Sequence, residues 1–532
     1  IRDRDGDAAG GESAASADGE RTAAASFCTS DTDVATVYQA STDGRAGPLA
    51  LTDTTDEWGA TEPLTGMRGH AAATGDVNGD GWTDVLVGTF ADRPLETYQE
   101  RGATGPSPDR LLLGGPDGLR LDASFPAEYG RTSGAALADL DNDGDLDMVL
   151  ARNVRDTERG SAPSRVLRND NGRFTPAATL PEPVGARSVG VLDYDSDGLV
   201  DLFITEDRFS GGSSRLLRNT GDLTFRDVTS RAGLPDDVHG LGVATADLTE
   251  DGLPDLVIGG SNRVFVHQGD ARFSELDGAI DPWPAYGTED DPAGVAVADV
   301  DNDGRPDIVI GQHYNSTIDD GRRVPVRLYL NKALGDGASP GGRLRLVDVT
   351  EQAGLTALPT KSPHVQIADV DNDGRPDLVT TAAGSNGRPI VFVQQEPRRG
   401  VPRFDATSPP GPEQYWVTGA VTDIDRDGRL DVMGVEWEPS LPTRIWRNEG
   451  DVGRWLAVSA PHGASVQVTA DDEPVASGQA GTSTGYAAGP DEFVWLGLGT
   501  HTEVDVAVAR PAGSSTTLEG VQADQQLALC ER

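Results

Sequence analysis

A nine-residue pattern, D-x-[DNT]-x-D-G-x-x-D, recurs seven times along this chain, and each copy runs straight into a short apolar segment. The copies are Asp76–Asp84 (DVNGDGWTD), Asp139–Asp147 (DLDNDGDLD), Asp193–Asp201 (DYDSDGLVD) and Asp247–Asp255 (DLTEDGLPD), then Asp299–Asp307 and Asp369–Asp377 (both DVDNDGRPD) and Asp423–Asp431 (DIDRDGRLD). Their first aspartates are 63, 54, 54, 52, 70 and 54 residues apart, a repeat length that suits a four-stranded propeller blade. The segments that follow (VLVGTF, MVLA, LFIT, LVIGG, IVIG, LVTT and VMGV) read as strands, so each loop is expected to join two strands.

The loop chemistry points to a hard cation held by oxygen. Carboxylates or amides at the first, third, fifth and ninth places, with the backbone carbonyl of the seventh, supply the ligands that Ca²⁺ takes, and Gly at the sixth permits the sharp turn. The predicted ligands are Asp76, Asn78, Asp80 and Asp84 with Trp82 in the first loop, and Asp139, Asp141, Asp143 and Asp147 with Asp145 in the second. The third uses Asp193, Asp195, Asp197 and Asp201 with Leu199; the fourth uses Asp247, Thr249, Asp251 and Asp255 with Leu253. The fifth offers Asp299, Asp301, Asp303 and Asp307 with Arg305, the sixth Asp369, Asp371, Asp373 and Asp377 with Arg375, and the seventh Asp423, Asp425, Asp427 and Asp431 with Arg429. An EF-hand begins alike but needs a bidentate Glu at its twelfth place and flanking helices. Up to seven Ca²⁺ are expected, with weaker binding in the first and fourth loops, where Asn78 and Thr249 replace an aspartate.

A strand of small residues precedes each loop (AAATGD, GAALAD, VGVLD, GVATAD, GVAVAD, VQIAD, GAVTD), as the crowded innermost strand of a propeller requires. Third strands follow (RLLLGG, RVLRND, RLLRN, VFVHQG, RLYLN, IVFVQQ, RIWRN), and fourth strands read clearly at Thr224–Thr229 and Arg345–Thr350. No fourth strand follows Arg447–Glu449, whereas PLALTDTT stands at Pro48–Thr55; that segment is expected to close the ring and remove its open edge. The expected fold is all-β: a seven-bladed propeller over residues 27–450, after a disordered lead at 1–26, with a small β domain at 454–532.

The formal net charge of −43 argues against nucleic acid and anionic membranes as partners. No apolar run is long enough to cross a bilayer. The start at Ile1 without initiator methionine or signal peptide fits a processed secreted protein, expected to be a monomer. The two cysteines, Cys28 and Cys530, are either one disulfide or two unrelated thiols. Lys occurs only at Lys332 and Lys361 while Arg is abundant, a bias of high-GC bacteria.

The loop-strand units resemble FG-GAP/VCBS-type repeats of integrin-α-like propellers. Together with the tail they resemble the ASPIC/UnbV (cartilage acidic protein-like) family, through Phe225–Leu234 (FRDVTSRAGL), Val347–Leu355 (VDVTEQAGL), Trp455, Gly485–Tyr486, Leu496–Gly499, Arg510–Gly513 and Gln525–Leu527. The chain departs from that family at His462–Ala464, where a tail loop is shortened. The resemblance implies an extracellular calcium-binding protein and does not imply a reaction.

If the loops mark one rim, the starts of first strands and the ends of second strands share the opposite rim. That places His70, Arg131, Arg187, His239, His364 and Trp416 with Arg152, Glu206, Asp207, His313, Tyr314, Glu436 and Trp437 around the channel mouth. Three functions fit: a binding module for a glycan, protein or small metabolite; an enzyme (lyase, hydrolase or cyclase) using His70, His239, His313, His364, Glu206 or Glu436 as acid or base; or a purely structural protein. A histidine cluster of this kind could also hold a transition metal. No nucleophile elbow, Walker loop, dinucleotide fingerprint or HExxH is present.

Overall fold

A computed structural model describes residues 34–529 apart from 43, 155–161, 182–184, 208–211, 281–290, 314–325, 333–343, 356–362, 383–387, 389, 482–484, 490–492 and 512. The lead at 1–26, Cys28, Cys530, Tyr314 and the side chain of His313 lie outside the described residues.

Small residues before each loop do form first strands: Gly69–Gly75, Thr132–Ala138, Ala186–Leu192, Gly242–Ala246, Asp291–Ala298, Val365–Ala368 and Trp416–Thr422. Each is antiparallel to a second strand that begins on the ninth aspartate of the loop. Third and fourth strands complete seven four-stranded sheets. The first strands abut one another in chain order, and the seventh abuts the first. This closes a β-propeller ring.

Small side chains on the first strands follow from crowding. A Cβ on Gly134 would stand 2.2 Å from the Arg187 carbonyl, and one on Gly242 would stand 2.4 Å from that of Ala293. Apolar residues of second and third strands fill the wedge between neighbouring sheets, so every seam has its own core. The seam between the seventh and first sheets is filled in the same way, by Ile424, Met433, Val435 and Ile445 against Val85, Val87 and Leu112.

The seventh sheet takes its outer strand from the other end of the chain, with Leu51–Asp53 antiparallel to Arg444–Asn448. The tail forms two further four-stranded sheets around a separate core. Val34–Gln39 joins the tail: Val34 pairs with Leu529 and Gln39 with Gln525. The sequence-based division at 27–450 therefore does not follow sheet membership, because the ladder partner of this segment lies almost 500 residues away.

Candidate metal centres and the channel mouth

The seven loops share a backbone turn, and all but the Asp139 loop share its internal hydrogen bonds. In six of them the first aspartate accepts the N–H of the fifth residue through Oδ1 and that of the sixth-place glycine through Oδ2, as with Asp299 and Asp303 N (3.0 Å) and Gly304 N (2.9 Å). The fourth residue is left-handed in every copy: Gly79, Asn142, Ser196, Glu250, Asn302, Asn372 and Arg426. These turns draw carboxylates inward.

In five loops three carboxylates offer oxygens within 4.8 Å of one another: Asp139–Asp141–Asp147, Asp193–Asp195–Asp197, Asp299–Asp301–Asp303, Asp369–Asp371–Asp377 and Asp423–Asp425–Asp431. Oxygens sharing one Ca²⁺ at 2.3–2.6 Å lie at most about 5 Å apart, so the spacing fits such an ion. The first and fourth loops, with Asn78 and Thr249, have no such triad. Buried oxygens without a hydrogen bond occur in four of those five loops, Oδ1 of Asp139, Asp195, Asp301 and Asp425, and in the fourth loop, Oγ1 of Thr249. A buried acceptor left unsatisfied is costly, and a cation would satisfy these. Side chains at the seventh place turn elsewhere; Arg305 reaches the Asn331 carbonyl and Arg429 that of Gly450.

Charge accumulates accordingly. Burial pushes Asp76 up to about 6, Asp139 to about 7 and Asp423 to about 8, and neighbouring carboxylates add to the effect. Arg168, Arg218, Lys332, Arg375 and Arg447 each reach an acid of the second, third, fifth, sixth and seventh loops respectively.

The ninth aspartate has a second role that the ligand pattern did not reveal. Its Oδ2 accepts the N–H of the loop's second residue and its Oδ1 accepts one from the third strand, as Asp201 does from Tyr194 (3.0 Å) and Asn219 (2.7 Å). It is fully or nearly fully buried in every loop. The third-strand residue it holds reaches back to the preceding loop: Asn169 to Val77, Asn219 to Leu140, Asn331 to Leu248, Gln394 to Val300 and Asn448 to Val370, at 2.7–3.1 Å, with His267 Nε2 on the Tyr194 carbonyl. Metal loop, strand and neighbouring sheet are thus stitched together. The repeated Asn at the end of RVLRN, RLLRN, RLYLN and RIWRN was the available signal.

The tail lies across the fourth to seventh loops. Gln479 accepts the Asp247 N–H (3.1 Å), Ser477 donates to Asp299 Oδ2 (2.9 Å), Trp495 Nε1 donates to Asn372 Oδ1 (3.0 Å), and Tyr38 donates to Asp423. From this face Gly485–Gly489 enters the centre of the ring. Gly485 N donates to Val295 O (2.8 Å), Ala72 N to Ala487 O (3.0 Å), Ala487 N to Ser188 Oγ (3.1 Å) and Thr418 Oγ1 to Tyr486 O (2.6 Å). The channel therefore has a floor.

Several rim residues predicted from sequence surround Tyr486. His70 stacks on Phe90 (4.2 Å between centroids), meets Trp437 and Tyr486 edge-on, and places Nε2 3.2 Å from the Tyr486 hydroxyl. His364 Nδ1 accepts the Tyr486 N–H (3.2 Å), and burial holds His364 down at about 4, hence neutral. Arg187 pairs with Asp207 (2.6 Å) and acts on the buried Tyr486 phenol. Glu436 accepts the Glu438 N–H through Oε1, its buried Oε2 has no hydrogen bond, and burial lifts it to about 8. His239 is half-buried with an unpartnered Nδ1, and Glu206 is buried beside Gly212. Of the other rim residues, one turns into the core and two arginines are committed to carboxylates. Trp416 is 0% exposed and packs on Trp446 in the core. Arg152 is buried between Asp109 (3.0 Å) and Glu128 (2.7 Å), and Arg131 pairs with Asp92 (2.8 Å).

Comparison with known proteins supports this architecture. The FG-GAP-like repeat matches residues 139–204, 193–258, 259–310 and 369–434, and the FG-GAP repeat matches 68–102. ASPIC and UnbV matches 459–532. The chain is 25% identical to cartilage acidic protein 1 of Mus musculus over 492 residues, covering 84% of this chain and 70% of that protein. The Homo sapiens protein of the same name gives 25% identity over 84% of this chain and 69% of its own length. Integrin alpha-V of Gallus gallus is 31% identical over 164 residues, 27% of this chain and 15% of the integrin. The chain carries FG-GAP repeats followed by an ASPIC and UnbV tail, and it resembles cartilage acidic protein 1 along most of its length.

Proposed function

We propose that this protein is an extracellular calcium-binding interaction module. Ions in the seven loops stiffen the ring, and ligands are met on the rim opposite those loops. The observation that carries it is the set of buried, unsatisfied oxygens inside carboxylate triads spaced for one ion. Bound Ca²⁺ would supply charge neutralisation and cross-linking within each loop. Because the ninth aspartate also holds the third strand, occupancy of a loop is coupled to the seam beside it. Resemblance to proteins named cartilage acidic protein and integrin alpha supports an extracellular setting and an interaction role.

Equilibrium dialysis against Ca²⁺, with metal analysis of the protein, tests the reading. The expected result is five tighter sites and weaker uptake by the two loops carrying Asn78 and Thr249. A chain that retains no calcium at millimolar free ion refutes it. Catalysis is a second reading, favoured by one observation. Glu436, lifted to about 8, keeps its proton at neutral pH beside the channel mouth and is placed as a general acid.

A further inference from the structure

The chain holds 87 acidic residues against 44 Lys and Arg, so a buried arginine seldom lacks a carboxylate neighbour. The rim opposite the acidic loops departs from this. Arg68, 7% exposed, lies over the Trp437 ring at 4.1 Å, and its Nε makes no hydrogen bond. Of the carboxylates near it, Glu438 is engaged by Arg101, and Glu436 turns to the Glu438 N–H. Arg93 stands close by with a buried Nε that likewise makes no hydrogen bond. Its neighbour Asp92 is taken by Arg131 through Nε (3.0 Å) and Nη2 (2.8 Å). Asp207 is taken by Arg187 and Asn153. Among the described residues, Arg101, Arg131 and Arg187 therefore engage Glu438, Asp92 and Asp207, Glu436 is turned to a backbone N–H, and no carboxylate is paired with Arg68 or Arg93.

Burying a guanidinium without an anion is unfavourable, and stacking on an indole recovers only part of the cost. Aromatic groups adjoin the two cations: Trp437 beneath Arg68, Tyr415 and Phe90 against Trp437, and Tyr486 beyond His70. Guanidinium forks match planar oxyanions, and flat apolar rings match the faces of small cyclic molecules. At physiological salt the distant acidic loops are screened, so local charge decides what enters.

We propose that the channel mouth binds an oxyanion, the carboxylate or sulfate group of a sugar-sized molecule, on Arg68 and Arg93, with Trp437 and Tyr486 forming the apolar wall and floor. This rests on the ligand-facing rim proposed above and adds the chemical class that the rim selects. The site neutralises two cations that no carboxylate among the described residues pairs with.

Calorimetric titration of the calcium-saturated full chain with sodium glucuronate, sodium sulfate and glucose at constant ionic strength tests it. Saturable binding of glucuronate or sulfate is expected, weakened at least tenfold by Arg68→Gln and by Arg93→Gln. Arg263→Gln, which removes an arginine already paired with Glu275 and Asp237, should leave binding unchanged. Arg93 is only half-buried, so Arg93→Gln keeps the test valid if Arg68→Gln disturbs the fold. Equal affinity for both anions identifies a bare oxyanion site, and preference for glucuronate shows that the ring is read as well. Glucose bound as tightly as glucuronate, unaffected by either substitution, overturns the anion assignment but leaves the rim as a ligand face. No binding of either anion overturns it outright, whereas the calcium reading stands or falls on the dialysis alone.

Discussion

Stripping the loops of divalent ions should invert the ordinary response of a protein to mild acid. Burial, with neighbouring carboxylates adding to it, lifts Asp84, Asp147 and Asp201 from an ordinary 3.8 to about 8 in the folded, metal-free chain. Each group then holds a proton when folded that it loses when unfolded, through the window from about pH 4 to pH 8. Their folded values are raised, so the stabilisation is fully present below the unfolded value and is lost as pH climbs through the folded one. At about 1.4 kcal/mol per pH unit, each ionisation costs roughly 5 kcal/mol at pH 8. Three loops together reach on the order of 15 kcal/mol, comparable to the whole stability of an ordinary domain at about 5–15 kcal/mol. Local opening of loops to water will relieve much of this. A net loss of about 5 kcal/mol still corresponds to a fall of roughly 10 °C in Tm. Calorimetric melts of metal-free protein at pH 5 and pH 8, in about 0.5 M salt to screen long-range repulsion, should show the lower Tm at pH 8. Excess calcium should abolish the difference by replacing those protons. Coincident metal-free melts at the two pH values would refute the argument.

Two substitutions probe the centre and the seams. Tyr486→Ala removes a side chain only 4% exposed, along with its hydroxyl contact to His70; it should cost about 3–5 kcal/mol, and limited proteolysis should cut the tail faster than in the parent. Unchanged cleavage would show that the tail is held by its loop contacts alone. Asn219→Ala withdraws the donor serving the Leu140 and Val200 carbonyls. A loss of about 1–3 kcal/mol in urea melts is expected, and a change below about 0.5 kcal/mol would mean that the inter-sheet bonds are dispensable.

What could be read from sequence was what is written locally. Nine consecutive residues encode each loop, and the apolar run that starts on its ninth aspartate encodes the second strand, so both were legible together. The outer strand at Leu51–Asp53 was inferable only because the last repeat lacked one. Long-range features left no comparable trace. Val34–Gln39 has no pattern that names a partner at Gln525–Leu529. Gly485–Gly489 reads as a small-residue loop, and its burial depends on partners on four distant first strands and on His364. Trp416 was placed at the mouth by its position ahead of a loop. Its indole turns instead into the wedge beside Trp446, where a large apolar side chain fills the seam. Unmatched arginines are invisible in any linear pattern, since pairing is decided by which acids the fold brings near.

The pairing of Val34–Gln39 with Gln525–Leu529 bears on how the chain is made. On a ribosome, domains tend to fold from the N-terminus as they emerge, yet here Val34–Gln39 has no partner until Gln525–Leu529, almost 500 residues later, has been synthesised. The outer strand of the seventh sheet waits nearly as long, and the hub stays empty until Gly485–Gly489 arrives. Nascent protein must therefore carry unpaired strand edges while the intervening residues are made, and the tail sheet closes only once Gln525–Leu529 is available. Any truncation that removes the last strand leaves the first one orphaned as well.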